Sequence, residues 1–225
     1  MPVIDDIKDS HNQVKGKGFK YVVSYYVEYY WKAALAVILV AIFLFSIIKT
    51  TVTAKDTVFQ AILMNSFNEI ETEEFTDILQ IDTKKEEVVF DSTYRIDPNP
   101  ENYSETNYTS AQKLLAVIAS GSADVMVGDK DTMEYYINGE IFADLRDYFD
   151  EATFASLGDK VIYADVIDTE TGDIIGENLP LLIDVTDAPL LKENNCYFTE
   201  PVYFSIIVNT KHPDYCLQFY DYLYK

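Results

Sequence analysis

"SGSADVMVGDKDTMEYYINGEIFADLRDYF", residues 120–149, sets a glycine turn, a short apolar run, a cluster of acids and an aromatic segment in immediate succession. Residues 123–127 are almost continuously apolar, the pattern of a strand buried on both faces of a parallel sheet, and Gly128 and Asp129 end the run before the helical "KDTMEYYI". Just upstream, residues 110–121 place Leu114, Leu115, Val117 and Ile118 on one helical face, with Gly121 as the stop. Helix, strand and helix follow one another without a spacer, which predicts a crossover unit.

The same alternation extends backwards. Residues 56–64 ("DTVFQAILM") predict a strand. Residues 65–80 predict a helix that opens on the cap-forming Asn65 and Ser66 and carries Phe67, Ile70, Phe75, Ile78 and Leu79 near helical spacing. A charged turn at 82–87 leads to a second strand over 88–94, and the Pro- and Asn-rich residues 95–108 predict an exposed loop. Asn102-Tyr103-Ser104 and Asn107-Tyr108-Thr109 within it fit the N-glycosylation pattern. Three strands alternating with helices predict an α/β fold with a mainly parallel sheet. Such sheets bind small molecules beyond the carboxyl ends of their strands, so Asn65, Ser66, Asp91, Ser92, Thr93 and Asp129 are expected on one ligand-binding rim.

Composition bounds the chemistry. The 225 residues are 48% hydrophobic, enough to build one or two cores, and the formal net charge is −21. The charge is unevenly spread: residues 1–55 hold seven Lys against four acids, whereas the remainder holds ten basic and 34 acidic side chains. A surface that acidic repels phosphate backbones, which excludes nucleic acid as a partner.

"AALAVILVAIFLFSII", residues 33–48, has no charge, Pro or Gly. With its flanks it predicts a transmembrane helix over 29–52, with Tyr29, Tyr30 and Trp31 as an interfacial belt. Lys8, Lys15, Lys17, Lys20 and Lys32 precede the run, and only Lys49 and Lys55 follow closely. That bias predicts a single-pass protein of the cell membrane, with residues 1–28 a cytoplasmic tail and 53–225 an extracytoplasmic domain. Cleavage after Val52-Thr53-Ala54 is the competing reading; the long leading segment with its Tyr-rich "YVVSYYVEYYW" favours a retained anchor.

Cys196 and Cys216 are the two cysteines, and pairing and separate burial both stand open. His11 and His212 have no Cys or carboxylate at ligand spacing, which argues against a zinc enzyme or a His-dependent hydrolase. Asp184, Thr186 and Asp187 in "IDVTDAP" join Asp129 and Asp131 as acids that a cation or sugar hydroxyl could use, yet Thr186 and Asp187 before Pro189 also suit a turn. No catalytic residue, metal site or cofactor is expected, and the protein is read as a non-enzyme.

The order of "ADVMVGD", a following helix and "NGEIFADLRDYF" resembles the third strand and packing helices of type 2 extracellular solute-binding proteins. "LPLLIDVTDAPLLKE" (179–193) is similar to the strand that returns to the ligand cleft in that family, and "VYFSIIVNTKHPDYCLQFYDYLY" (202–224) to its last strand and C-terminal helix. The resemblance implies capture of a small solute for an importer or sensor, with a membrane transporter as partner and Asn65, Ser66, Asp91, Ser92, Thr93, Asp129, Asp184, Thr186 and Asp187 as ligand-binding residues. The family's second lobe has no room here: the residues between Phe149 and Leu179 suit a strand hairpin around "TETGD" rather than a second domain. The expected protein is therefore one membrane-anchored lobe with a small hairpin insertion. Its function is solute capture or, alternatively, a ligand-free role as an interaction or assembly subunit of a membrane complex.

Overall fold

The computed structural model describes residues 16, 18–53, 55–102 and 104–225, without the side chains of 25, 26, 29, 30, 48, 50–53 and 100. The chain divides into two compact units, Met1–Ala54 and Lys55–Lys225.

In the first unit, α1 spans Phe19–Thr53. The membrane-spanning helix expected over 29–52 requires correction: among the described residues no helix is long and apolar enough to cross a membrane. The run without a charge is residues 33–48, sixteen positions. At 1.5 Å per residue it covers roughly 24 Å, against a hydrocarbon core of about 30 Å. The single-pass placement falls with the helix, and so does the topology of a cytoplasmic tail and an extracytoplasmic domain. Of the belt residues, Trp31 is half exposed, with Lys32 Nζ 5.8 Å from its ring centroid, while the side chains of Tyr29 and Tyr30 lie outside the described residues. Residues 1–15, Lys17 and Ala54 lie outside them too.

The second unit is α/β. Its strands are β1 (Asp56–Leu63), β2 (Glu86–Asp91), β3 (Val125–Asp129), β4 (Val161–Ile167), β5 (Ile174–Asp184) and β6 (Val202–Ile206). Its helices are α2 (Glu73–Leu79), α3 (Glu105–Ala119), α4 (Lys130–Tyr135), α5 (Glu151–Leu157), α6 (Pro189–Glu193) and α7 (Pro213–Leu223). One sheet holds all six strands in the order β2-β1-β3-β6-β5-β4.

The expected mainly parallel sheet is mixed. β1 runs parallel to β2 and β3, as helical crossovers require, but β6 lies antiparallel to both β3 and β5, and β4 pairs antiparallel with β5. For β4 and β5 the reason is connection length: a short turn joins them and must reverse the chain. β6 enters antiparallel to both its neighbours although residues 185–201, which lead into it from β5 through α6, are long enough for a crossover. The hairpin and the returning strand, read separately in the sequence, are one piece: β5 runs through "IIGENLPLLID", with Asn178 at φ 50° and Pro180 where the pairing with β4 slips register.

The period-2 alternation of the strands separates two cores. Phe59, Ala61 and Leu63 of β1, Val125 and Val127 of β3 and Phe204 and Ile206 of β6 face one side, where Phe75 of α2 and Phe219 and Leu223 of α7 cover them. Ile62, Met126 and Tyr203 face the other, under Leu114 and Ile118 of α3 and Met133 of α4. Gly128 is needed at the end of β3, because a Cβ there would stand 2.9 Å from Met64 Cβ. Both cysteines are buried and free. Burial pushes the Cys196 thiol up and that of Cys216 up to about 12, so neither is a ready nucleophile.

Candidate functional site

The carboxyl ends of β1 and β3 lie side by side, joined where Met64 N–H donates to the Val127 carbonyl at 2.7 Å. The chain then turns through Asn65 in the left-handed region, φ 58°. Its carboxamide clamps three segments. Nδ2 approaches the Ile96 carbonyl (2.8 Å), Asp129 Oδ2 (2.8 Å) and Thr132 Oγ1 (3.0 Å), while Oδ1 accepts from Ile96 N–H at 2.9 Å. Asp129 caps α4 by accepting from Thr132 N–H at 3.1 Å.

Arg95 ties the neighbouring strand ends together. Its Nη1 donates to the carbonyls of Ser92 and Tyr94 at 2.6 and 2.8 Å, and its Nη2 to the Ser66 carbonyl at 2.5 Å. The segment after it is held just as firmly. Asp97 and Asn107 exchange two hydrogen bonds, Asp97 N–H to Asn107 Oδ1 at 2.6 Å and Asn107 Nδ2 to the Asp97 carbonyl at 2.8 Å. Asp97 carboxylate oxygens accept from Asn99 N–H (2.9 Å) and Asn102 Nδ2 (2.7 Å).

These parts enclose an open cleft of about 620 Å³. Asn65, Asp129 and Thr132 form its inner wall, the loop of Arg95, Asp97, Asn99 and Asn107 its outer wall, and Phe67, Tyr197, Thr199 and Asp131 complete it. The Tyr197 hydroxyl donates to the Val127 carbonyl at 3.0 Å, and burial raises its pKa well above the ordinary value. Phe67 is 63% exposed and packs against the equally open Phe198, ring centroids 4.8 Å apart. Asp97, Asp129 and Asp131 enter no ion pair among the described residues, and the Arg95 guanidinium is directed at carbonyl oxygens. The wall is acidic.

Of the expected rim, the structure brings Asn65 and Asp129 into this cleft and places the others elsewhere. Ser66 is buried and donates to the Asn68 carbonyl at 2.6 Å, and Ser92 is buried. Asp91 Oδ1 accepts from the Thr93 hydroxyl (2.5 Å) and its Oδ2 from Lys113 Nζ (2.9 Å). Burial opposes the charge on Asp91, but those donors outweigh it and hold the carboxyl below the ordinary range. Asp184 accepts from Thr186 N–H at 2.9 Å, and Thr186 Oγ1 from Val202 N–H at 2.8 Å, so both shape a turn. Asp187 pairs with Lys160 Nζ at 2.9 Å and accepts from the Tyr224 hydroxyl at 3.0 Å, and Lys160 lowers its pKa.

Arg95, Asp97, Asn99, Asn107 and Tyr197 are not expected as site residues from the sequence, where Asn107 enters only as part of a glycosylation pattern. The available signal was "RIDPNPEN", whose Asp and Asn in alternation with Pro favour side-chain-to-backbone turns over a free loop. Asn65→Ala is expected to lose about 2 kcal/mol of stability through the clamp and the left-handed backbone together, and Asn65→Gly less than the sum because glycine keeps the conformation. Equal losses in chemical denaturation would show that the backbone conformation contributes nothing. Comparison of the chain with family models, with curated proteins and with solved structures finds no match.

Proposed function

We propose that residues 55–225 are a one-lobed solute-capture module, similar in plan to half of a type 2 extracellular solute-binding protein, that holds a small amine-bearing solute. The supporting observation is the cleft at the carboxyl ends of β1 and β3, where Asp97, Asp129 and Asp131 face one space and the Arg95 guanidinium is engaged by carbonyls. An ammonium group gains charge-assisted hydrogen bonds there, and an anion meets like charge.

One wall contacts only one side of a solute. Affinity is therefore weak, on the order of 10 μM or poorer, unless a partner chain supplies the opposite wall. Calorimetry of the full chain against pools of amino acids, polyamines and sugars tests this. Amines are expected to bind, and Asp131→Asn to weaken them about tenfold; Asp131 suits the test because its side chain makes no hydrogen bond among the described residues. A sub-micromolar ligand would overturn the one-wall reading. Absence of binding at millimolar solute would leave the alternative, an interaction module without a ligand.

A further inference from the structure

The cleft continues beyond the solute-sized space at the strand ends. A second depression of about 250 Å³ shares Asp97, Asn99 and Asn107 with it and passes Tyr108 to Tyr135. A third, of about 460 Å³, starts on the far side of Tyr135 and reaches Leu115, Asn138 and Thr169 at the β4–β5 turn. The first two share a wall at Asp97, Asn99 and Asn107, and the third adjoins the second across Tyr135 and Tyr136, so the three follow one another along α3 as a groove stepped at Tyr135.

Its length and chemistry select an extended chain. From Ser104 to Leu115 the groove follows α3 and its cap for roughly 16 Å at 1.5 Å per residue, the reach of about five residues of extended peptide at about 3.3 Å each. Tyr108, Leu115 and Tyr135 are each more than half exposed along it. The Nδ2 groups of Asn99 and Asn138 have no protein acceptor among the described residues and are available to peptide carbonyls, Asn138 being held by its Oδ1 bond from Ile167 N–H at 3.0 Å. Asp97, Asp129 and Asp131 lie at one end, and Glu134, 3.9 Å from Lys130, lies further along.

We infer that this groove binds an extended peptide segment with a basic end followed by apolar residues, the basic end in the cleft and the apolar side chains over Tyr108, Tyr135 and Leu115. Backbone carbonyls meet the asparagine amides, apolar side chains cover the three open residues, and ammonium or guanidinium groups meet the carboxylates. The inference rests on the cleft being a binding site and extends its ligand from a small amine to a peptide.

The test uses the full chain and two dye-labelled heptapeptides, one with lysines in its first half and leucines in its second and one with glutamate in place of lysine, with spermidine as a small competitor. The lysine peptide is expected to bind at least tenfold more tightly than the glutamate peptide. Tyr135→Ala should weaken it about tenfold and leave spermidine unchanged, Tyr135→Phe should keep most of the affinity, and Leu115→Ser gives a second exposed position should Tyr135→Ala fail to fold. Asp131→Asn should weaken both ligands. Equal affinity for the two peptides, or a lysine peptide indifferent to both Tyr135→Ala and Leu115→Ser, overturns the groove. If spermidine still binds and still responds to Asp131→Asn, the cleft reading survives that failure. If neither spermidine nor either peptide binds, both fall.

Discussion

Phe219→Ala is expected to remove about 4 kcal/mol from the stability of the acidic unit and to lower its melting temperature by roughly 10 °C. Phe219 projects from α7 with no exposed surface into a cluster in which its ring centroid lies 5.2 Å from Phe90, 5.4 Å from Phe59 and 5.5 Å from Phe75. Those three rings come from β2, β1 and α2, so truncation opens a cavity where four elements meet. Scanning calorimetry of the variant against Tyr163→Ala, a half-exposed ring on edge strand β4 expected to cost less than about 1 kcal/mol, separates cavity formation from general loss of an aromatic. Equal shifts for the two variants would mean that the aromatic cluster does not anchor α7.

Asp124→Ala should cost a similar amount for a different reason. The carboxylate is 3% exposed and accepts from Gln60 N–H (2.9 Å), the Thr210 hydroxyl (2.6 Å) and His212 Nδ1 (3.1 Å). Its own N–H donates to the Gln60 carbonyl at 3.0 Å, so main chain and side chain of Asp124 together hold both backbone groups of one residue of β1, while the other oxygen fixes the start of α7. Removing it leaves these half-buried donors unmatched, at about 1–3 kcal/mol for each that water does not reach. Asp124→Asn keeps an acceptor oxygen and should recover at least about 1 kcal/mol of the loss. Denaturant midpoints for the two variants decide it: an asparagine no better than alanine would assign the effect to charge rather than to the acceptor geometry.

Asp124 also marks where sequence reading succeeds and where it stops. The strand it precedes is legible because both faces of β3 are buried, which requires the unbroken apolar run that ends at Gly128. The α/β alternation of the first half follows from the same kind of signal. The second half is less legible. Gly176, Asn178 and Pro180 look like the end of one strand and the start of another, whereas β5 absorbs all three through a left-handed residue and a register slip. Asn65 and Ser66 look like helix caps, but Asn65 turns the chain at the strand end and α2 begins only at Glu73. In the apolar run of α1 the sequence shows hydrophobicity clearly, and the membrane reading built on it is the part corrected. The rim was legible only for Asn65 and Asp129, which stand at neighbouring strand ends. Asp91, Asp184 and Asp187 have the same residue type but find partners in Lys113, the Thr186 amide and Lys160, choices set by tertiary neighbours. The outer wall depends on the exchange between Asp97 and Asn107, a match across ten positions that no periodicity announces.

The place of β6 in the sheet governs the order in which the unit can be assembled. It is the last strand in the chain, yet it sits between β3 and β5 and is the sole bridge from the parallel half to the hairpin half. Until residues 202–206 leave the ribosome, a nascent chain can hold two partial sheets but not join them, and the inner borders of β3 and β5 face solvent with unpaired amides and carbonyls. Val125 must wait for Ile206, far along the chain, and so many distant pairings slow closure and lengthen the interval in which those borders can capture another nascent chain.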